Sequence, residues 1–173
     1  MRHVISVLLE NEVGALTRMT GLFSTRGYNI ESLNVAPTDD PAISRVTVVI
    51  TGSDAAIAQV KGQLGKLVDV VNIHDMTVGE HFERELVIVK FRLHTGELDQ
   101  VLKLCKDYGA ELLDDAQASC TVQLTGRIGE VDAFVDAAAR IGRLQAVARS
   151  GSVAVSKGEV TLSSYAKTHR LTG

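Results

Sequence analysis

The segment Asn11-Glu12-Val13-Gly14-Ala15-Leu16 joins a strand-like run to a helix-like one, and its residue types suit a ligand. Free backbone N–H groups at a helix start, with the positive end of the helix dipole, form a seat for a carboxylate. Gly14 lets a ligand approach the backbone closely, and the Asn11 amide offers an oxygen to an ammonium and an NH2 to a carboxylate. That pair of charges describes a free amino acid. The same residues also fit a plain turn, since a glycine before a helix is often only that. Both readings stand at this level.

Other chemistry is absent from the pattern. His3, His74, His81, His94 and His169 show no HxxxH, HxH or Cys-His spacing that would aim two ligands at a zinc, and they read as solvated or strand-edge residues. No Ser or Cys sits in a GxSxG elbow or pairs recognisably with a base. Asp39-Asp40 and Asp114-Asp115 are chain neighbours in hairpin loops, where carboxylates serve turn geometry. Gly126-Arg127-Ile128-Gly129 lacks the spacing of a phosphate-cradling loop. No catalytic or metal residue is therefore named.

Periodicity supplies the elements that must position the Asn11–Leu16 turn. Arg2 to Glu10 is apolar and β-branched, a strand. Leu16, Met19 and Phe23 draw one stripe on a helix that ends near Arg26-Gly27, where glycine can take the left-handed cap. Tyr28 to Val35 is a second strand. Ala36-Pro37-Thr38-Asp39-Asp40-Pro41 holds both prolines of the chain and reads as a hairpin loop. Arg45 to Thr51 alternates, with Val46, Val48 and Ile50 on one face. Ser53 caps a helix bearing Ile57, Val60, Leu64 and Leu67, and Val68 to Val78 returns as a fourth strand. The order is β-α-β-β-α-β, a ferredoxin-like unit with two helices on one face of an antiparallel sheet.

Gly79 to Glu83 reads as a polar joint, after which the order repeats. Glu85 to Leu93 is a strand, followed by a helix with Leu98, Val101, Leu102 and Cys105 on one face that ends at Gly109. Ala110 to Asp115 and Ser119 to Thr125 pair as strands. Gly129 to Ile141 is a helix with Val131, Phe134, Val135 and Ala138 inward, and Gln145 to Val155 is a last strand. The fold class is therefore α+β, two ferredoxin-like domains: residues 1–78, a linker over 79–83, and residues 84–156. Residues 157–173 form a polar, aperiodic tail, expected to be frayed.

Composition agrees. At 173 residues, 45% hydrophobic and 23% charged, the chain accommodates two small domains, each marginal alone because small domains bury a smaller share of their surface. Open sheet faces and edge strands invite a second copy, so a homodimer is expected. No apolar run approaches the roughly 20 residues of a membrane span, and no signal peptide is seen, which points to the cytoplasm. Cys105 and Cys120 read as reduced core thiols. A net charge of −3 argues against a nucleic-acid partner. The RNA-recognition domain shares this element order, but four Phe and three Tyr in the whole chain leave its aromatic platform missing.

The stretch LLENEVGALTRMTGLFSTRGYNIESLNVAPTDD, followed by SRVTVVITG, resembles the N-terminal ACT domain of the acetolactate synthase (acetohydroxyacid synthase) small regulatory subunit. The N-x-x-G-A-L turn, the G-L-F-S-x-R-G-Y-N-I-x-S-L segment and the A-P-T-D-D loop occur in register. KLVDVVNIHD, ERELVIVK and AVARSG at 146–151 extend the likeness to about residue 156.

The resemblance implies a chain with no active site or cofactor of its own. It implies a partner, the large catalytic subunit carrying thiamine diphosphate, Mg2+ and FAD, which makes acetolactate from two pyruvates in branched-chain amino-acid synthesis. Such small subunits activate that partner and deliver feedback inhibition by valine, held between two ACT protomers. By position, Asn11, Gly14, Ala15 and Leu16 would hold the valine charges, Asn29 and Ile30 would approach from the partner chain, and Ala36 would lie close by. The rival readings are a free-standing ACT-type sensor regulating a different enzyme, an enzyme such as an acylphosphatase, and a structural assembly protein with no ligand. The enzyme needs an Arg in the first loop, where this chain has Asn11-Glu12-Val13-Gly14, and the assembly protein would show no effector response.

Overall fold

The structure, a computed structural model, describes residues 1–94, 96–116 and 118–162. They divide into two compact units, one of Met1–Phe82 with Ser152 onward and one of Glu83–Gly151.

In the first unit, β1 (Arg2–Glu10), α1 (Ala15–Thr25), β2 (Ile30–Pro37), β3 (Ile43–Thr51), α2 (Asp54–Leu64) and β4 (Val70–Asp75) follow the expected order. The strands form an antiparallel sheet in the order β2-β3-β1-β4. Alternation decides which face is which: Ile5, Val7 and Leu9 of β1 and Val46, Val48 and Ile50 of β3 pack with Met19 and Phe23 of α1 and with Ile57, Val60 and Leu64 of α2. Ser53 caps α2, its Oγ accepting from Ala56 N–H at 3.3 Å.

Among the described residues of this unit no helix packs on the other face of the sheet, and the chain itself covers part of it. Val4, Val49 and Met76 bury against Ala154 of β9 (Val153–Ser156). Beside this contact Ser152 N–H donates to Ser32 Oγ at 3.4 Å and Arg2 Nη2 to Ser152 Oγ at 3.3 Å.

The second unit contains most of β5 (His81–Arg92), then α3 (Leu98–Tyr108), β6 (Glu111–Ala116), β7 (Ser119–Gly126), α4 (Ile128–Ile141) and β8 (Arg143–Arg149), with sheet order β6-β7-β5-β8. Val87, Val89 and Phe91 meet Val101, Leu104, Val131 and Phe134 in its core, where the Tyr108 and Phe134 rings pack edge-on at 5.5 Å. Cys105 and Cys120 are free and buried in that core, and burial pushes the Cys120 thiol up to about 11.

The α+β class and both β-α-β-β-α-β orders agree with the sequence. Several local expectations differ. Asp114 and Asp115, read as hairpin-loop residues, lie in β6 opposite Thr121 and Cys120. β5 starts at His81, so residues 81–83 of the joint become strand: the in-and-out alternation of β5 runs back to that point, with His81 and Glu83 half-buried and Phe82 exposed. The last strand is two, β8 and β9, broken at Ser150-Gly151-Ser152, where Gly151 takes a φ of 74° and Ser150 Oγ accepts from Leu86 N–H at 3.0 Å. Residues 152–156, assigned by sequence to the second domain, belong to the first unit. β4 is shorter than 68–78 because Val70 N–H closes a turn on Leu67 C=O. On α3 the inward residue is Leu104, three positions after Val101, and Leu102 faces solvent. His3, read as solvated or edge, is buried on the central strand β1, with Nε2 3.3 Å from Gly52 O and 3.5 Å from Asp54 Oδ1. His169 and the tail from Ser163 on lie outside the described residues.

Candidate functional site

The turn between β1 and α1 is tied down on both sides. Asn11 N–H donates to Ala42 C=O at 2.7 Å and Asn11 Nδ2 to Pro41 C=O at 3.0 Å, which fastens it to the β2–β3 hairpin. That hairpin loop is ordered by its own polar groups: Asp40 Oδ1 accepts from Ala42 N–H at 2.9 Å, the turn role expected of the aspartate pair. Part of the Asn11 NH2 is thereby spent on Pro41.

Gly14 is the first residue in the chain whose backbone only glycine adopts easily, with φ 87° and ψ −12° at the start of α1. No side chain caps this helix. Ala15 N–H bonds Glu12 C=O and Arg18 N–H bonds Gly14 C=O, so the Leu16 and Thr17 N–H groups remain at the open helix start. Ala15 is buried beneath the turn and Leu16 is partly exposed beside it.

Two residues that the sequence reading did not single out complete this corner. Arg18, one turn beyond Gly14, donates Nε to Asp69 Oδ2 at 2.6 Å and Nη2 to Asp69 Oδ1 at 2.8 Å. Asp69 is buried, and Glu10 N–H donates to its backbone C=O at 2.8 Å. This hydrogen bonding holds the Arg18 guanidinium above its ordinary pKa. The remaining Nη1 reaches over Gly14, where a Cβ would stand 2.8 Å from it. The corner therefore sets an Asp69-paired guanidinium beside a helix start with no side-chain cap and a side-chain-free backbone.

The remaining expected site residues lie elsewhere. Asn29 is exposed and Ile30 half-buried at the opposite end of α1, an 11-residue helix spanning about 16 Å. Ala36 is exposed near the end of β2, opposite Arg45 on β3. One chain thus gathers Asn11, Gly14, Ala15 and Leu16 at one turn, with Ala36 on the hairpin to which Asn11 is fastened, and it does not bring Asn29 or Ile30 to them.

Ala36 also lines a groove of about 600 Å3 on the helix-free side of the sheet, with Leu8, Asn34, Arg45, Thr47 and Val153 among its walls. In the second unit a separate ion cluster stands out. Buried Glu85 takes Arg149 Nε and Nη2 at 2.9 and 2.7 Å, and Arg149 Nη1 reaches Asp132 at 2.8 Å. Among the described residues no group of three or more His, Cys, Asp or Glu side chains converges as a metal site, and no helix is long and apolar enough to cross a membrane.

Comparison with known proteins decides what these two units are. Residues 5–72 match the family model of the AHAS small subunit-like ACT domain, and residues 84–158 match that of the small subunit of acetolactate synthase. The chain is 45% identical over 159 residues to the acetolactate synthase isozyme 3 small subunit of Escherichia coli, covering 92% of this chain and 98% of that protein. The chain belongs to the acetolactate synthase small-subunit family.

A second acetolactate synthase small subunit, from Haemophilus influenzae, is also 45% identical over the same shares of the two chains. The fold agrees as well: the crystal structure of the acetolactate synthase small subunit from Thermotoga maritima superposes with a TM-score of 0.84 at 27% identity, over 92% of this chain and 99% of that one. Within the family's first matched segment lie all seven expected effector residues, together with Arg18 and Asp69. Glu85, Asp132 and Arg149 lie within the second.

Proposed function

We propose that this chain is a non-catalytic regulatory subunit of acetolactate synthase, working in the cytoplasm. It binds the large catalytic subunit, raises its activity and confers feedback inhibition by valine. The observation that carries this reading is the match of the second half, residues 84–158, to the small-subunit family in the same chain as the ACT match. An ACT sensor serving a different enzyme has no need of that second half. Thiamine diphosphate, Mg2+ and FAD belong to the catalytic partner, which condenses two pyruvates to acetolactate.

Valine sits between the ACT units of two copies. The corner of Asn11, Gly14, Ala15 and Leu16 takes the amino and carboxylate groups from one copy, and Asn29 and Ile30 close over it from the other. The separation of these two groups by the length of α1 within one chain supports the use of two copies. Ala36, on the hairpin bound to Asn11, bounds the same end. A ligand that bridges chains binds one arrangement of the assembly better than another, and that difference is what permits inhibition at a distance.

Reconstitution tests this. The full chain is mixed with the catalytic subunit, and acetolactate formation is measured with and without valine. Activation that valine reverses is expected; neither activation nor a valine effect would refute the reading. Co-purification with a different enzyme would place the chain among free-standing sensors.

A further inference from the structure

Asp69 is connected to both ends of the turn that carries Asn11 and Gly14. Its backbone C=O accepts from Glu10 N–H at 2.8 Å, where β1 ends. Its carboxylate takes Arg18 Nε and Nη2 at 2.6 and 2.8 Å, and Arg18 reaches the other end of the turn in two ways. The Arg18 N–H donates to Gly14 C=O at 2.9 Å, and the guanidinium lies so close over Gly14 that a Cβ there would stand 2.8 Å from Nη1. Glu10, Asp69, Arg18 and Gly14 thus close a ring of contacts around the turn.

Stability alone does not account for an ion pair at this place. The Asp69 side chain is 7% exposed and the Arg18 side chain 48%. Taking the carboxylate out of water has a cost, and an attraction screened by solvent on the arginine side offsets it only in part. Direction is what the pair supplies: two N–H donors facing two carboxylate oxygens hold the planar guanidinium in one orientation, which a lysine would leave loose. That orientation bears on Gly14, whose φ of 87° places the first N–H groups of α1. We infer that Arg18 and Asp69 are positioning residues of the effector turn. Through the pair, the backbone at Gly14 and the start of α1 are held in the arrangement that receives the amino acid's charges. The inference rests on the valine reading proposed above and adds to it two residues that act through this backbone.

The test measures valine binding to the full chain by calorimetry in wild type, Asp69→Asn, Arg18→Lys and the double variant, with the melting temperature without valine as the measure of the fold. Asp69→Asn keeps the shape and removes the charge that orients the guanidinium; Arg18→Lys keeps the charge and removes the fork. Each is expected to raise the valine dissociation constant by about tenfold, with a melting temperature within about 4 °C of wild type. The double variant is expected to bind no more weakly than the weaker single variant, because both substitutions remove one clamp. Arg18→Lys carries the test if Asp69→Asn does not fold. Valine binding within about twofold of wild type in the variants overturns the inference. So does an affinity loss that appears only with a larger fall in melting temperature, which makes the pair merely structural, or losses that multiply in the double variant, which makes the two residues independent. If wild type itself does not bind valine, the valine reading falls and takes this one with it. If wild type and variants bind valine alike, only this one falls.

Discussion

Asp69 grips Arg18 through both carboxylate oxygens, and the guanidinium nitrogen it leaves over is the atom that a side chain at position 14 would strike. The two residues are 51 positions apart in the chain, yet together they fix a cation above the start of α1. Gly14 is thus constrained twice, by its backbone angle and by the guanidinium above it.

Substitution at Gly14 therefore has two separable effects. Gly14→Ala must place a Cβ at φ 87°, which costs about 1–2 kcal/mol, and must push the guanidinium aside. Gly14→Asp adds a carboxylate that competes with Asp69 for Arg18 and puts negative charge at the start of α1. Urea denaturation is expected to show a modest loss in both. Thermal shift is expected to show a weakened valine response in the first and none in the second, while the catalytic partner is still activated. Asp69→Asn is expected to weaken the valine response with position 14 intact.

Wild type is expected to gain about 2.7 kcal/mol of stability at valine concentrations near 100 times the dissociation constant. Mixed dimers test the shared site more sharply. Asn11→Ala and Asn29→Ala are each expected to abolish valine binding alone. Dissociated and reassembled together, they form mixed dimers in which one of the two sites has both asparagines, so about a quarter of all sites recover. Calorimetry of the mixture measures that recovery; no recovery would place both asparagines on one chain.

The Glu85–Arg149–Asp132 cluster supports the second unit. Glu85→Ala leaves Arg149 without its buried partner, while the exposed Asp132 still pairs with it. The loss is expected to be about 3 kcal/mol, at the low end for such pairs because Arg149 keeps some solvent contact. Glu85→Gln retains the shape and an acceptor and is expected to lose less. Chemical denaturation with a probe in the second unit, such as Tyr108, reads the difference.

Acid acts on the first unit through Asp75. Burial on its own raises this carboxyl, but hydrogen bonds from Lys61 and Thr77 outweigh it and hold the pKa below the ordinary value. The folded state thus binds its proton less readily than the unfolded one. The resulting stability is present above the ordinary carboxylate value of about 4 and is lost as pH falls below it. Melting temperatures from pH 7 to 3 are expected to drop more steeply in wild type than in Asp75→Asn, the two curves converging at the acid end.

Much of this fold was legible because the residues packed in the two cores alternate along β3, β5 and β7. Val46, Val48 and Ile50 declared the core face of β3 without help from distant residues, and Ser53 declared the start of α2. The failures share a cause. The Arg18–Asp69 pair and the Glu85–Arg149 pair depend on turns and strands meeting across many residues, and no local spacing announces them. The break between β8 and β9 was marked by Ser150-Gly151, but apolar residues on both sides concealed it within an apparently continuous strand. For the site, Asn11 and Gly14 could be read as a turn with carboxylate chemistry. That Asn29 stands a helix length away could be learned only from the fold.

The return of β9 to the first unit has a consequence for how the protein is made. The ribosome delivers Val4, Val49 and Met76 long before Ala154, so the first sheet emerges with one face partly bare and waits while the whole second unit is synthesised. Early folding thus offers an apolar sheet face to other nascent chains. A fragment ending at Phe82 keeps that immature surface permanently, and its clumping would say nothing about the sturdiness of the finished subunit.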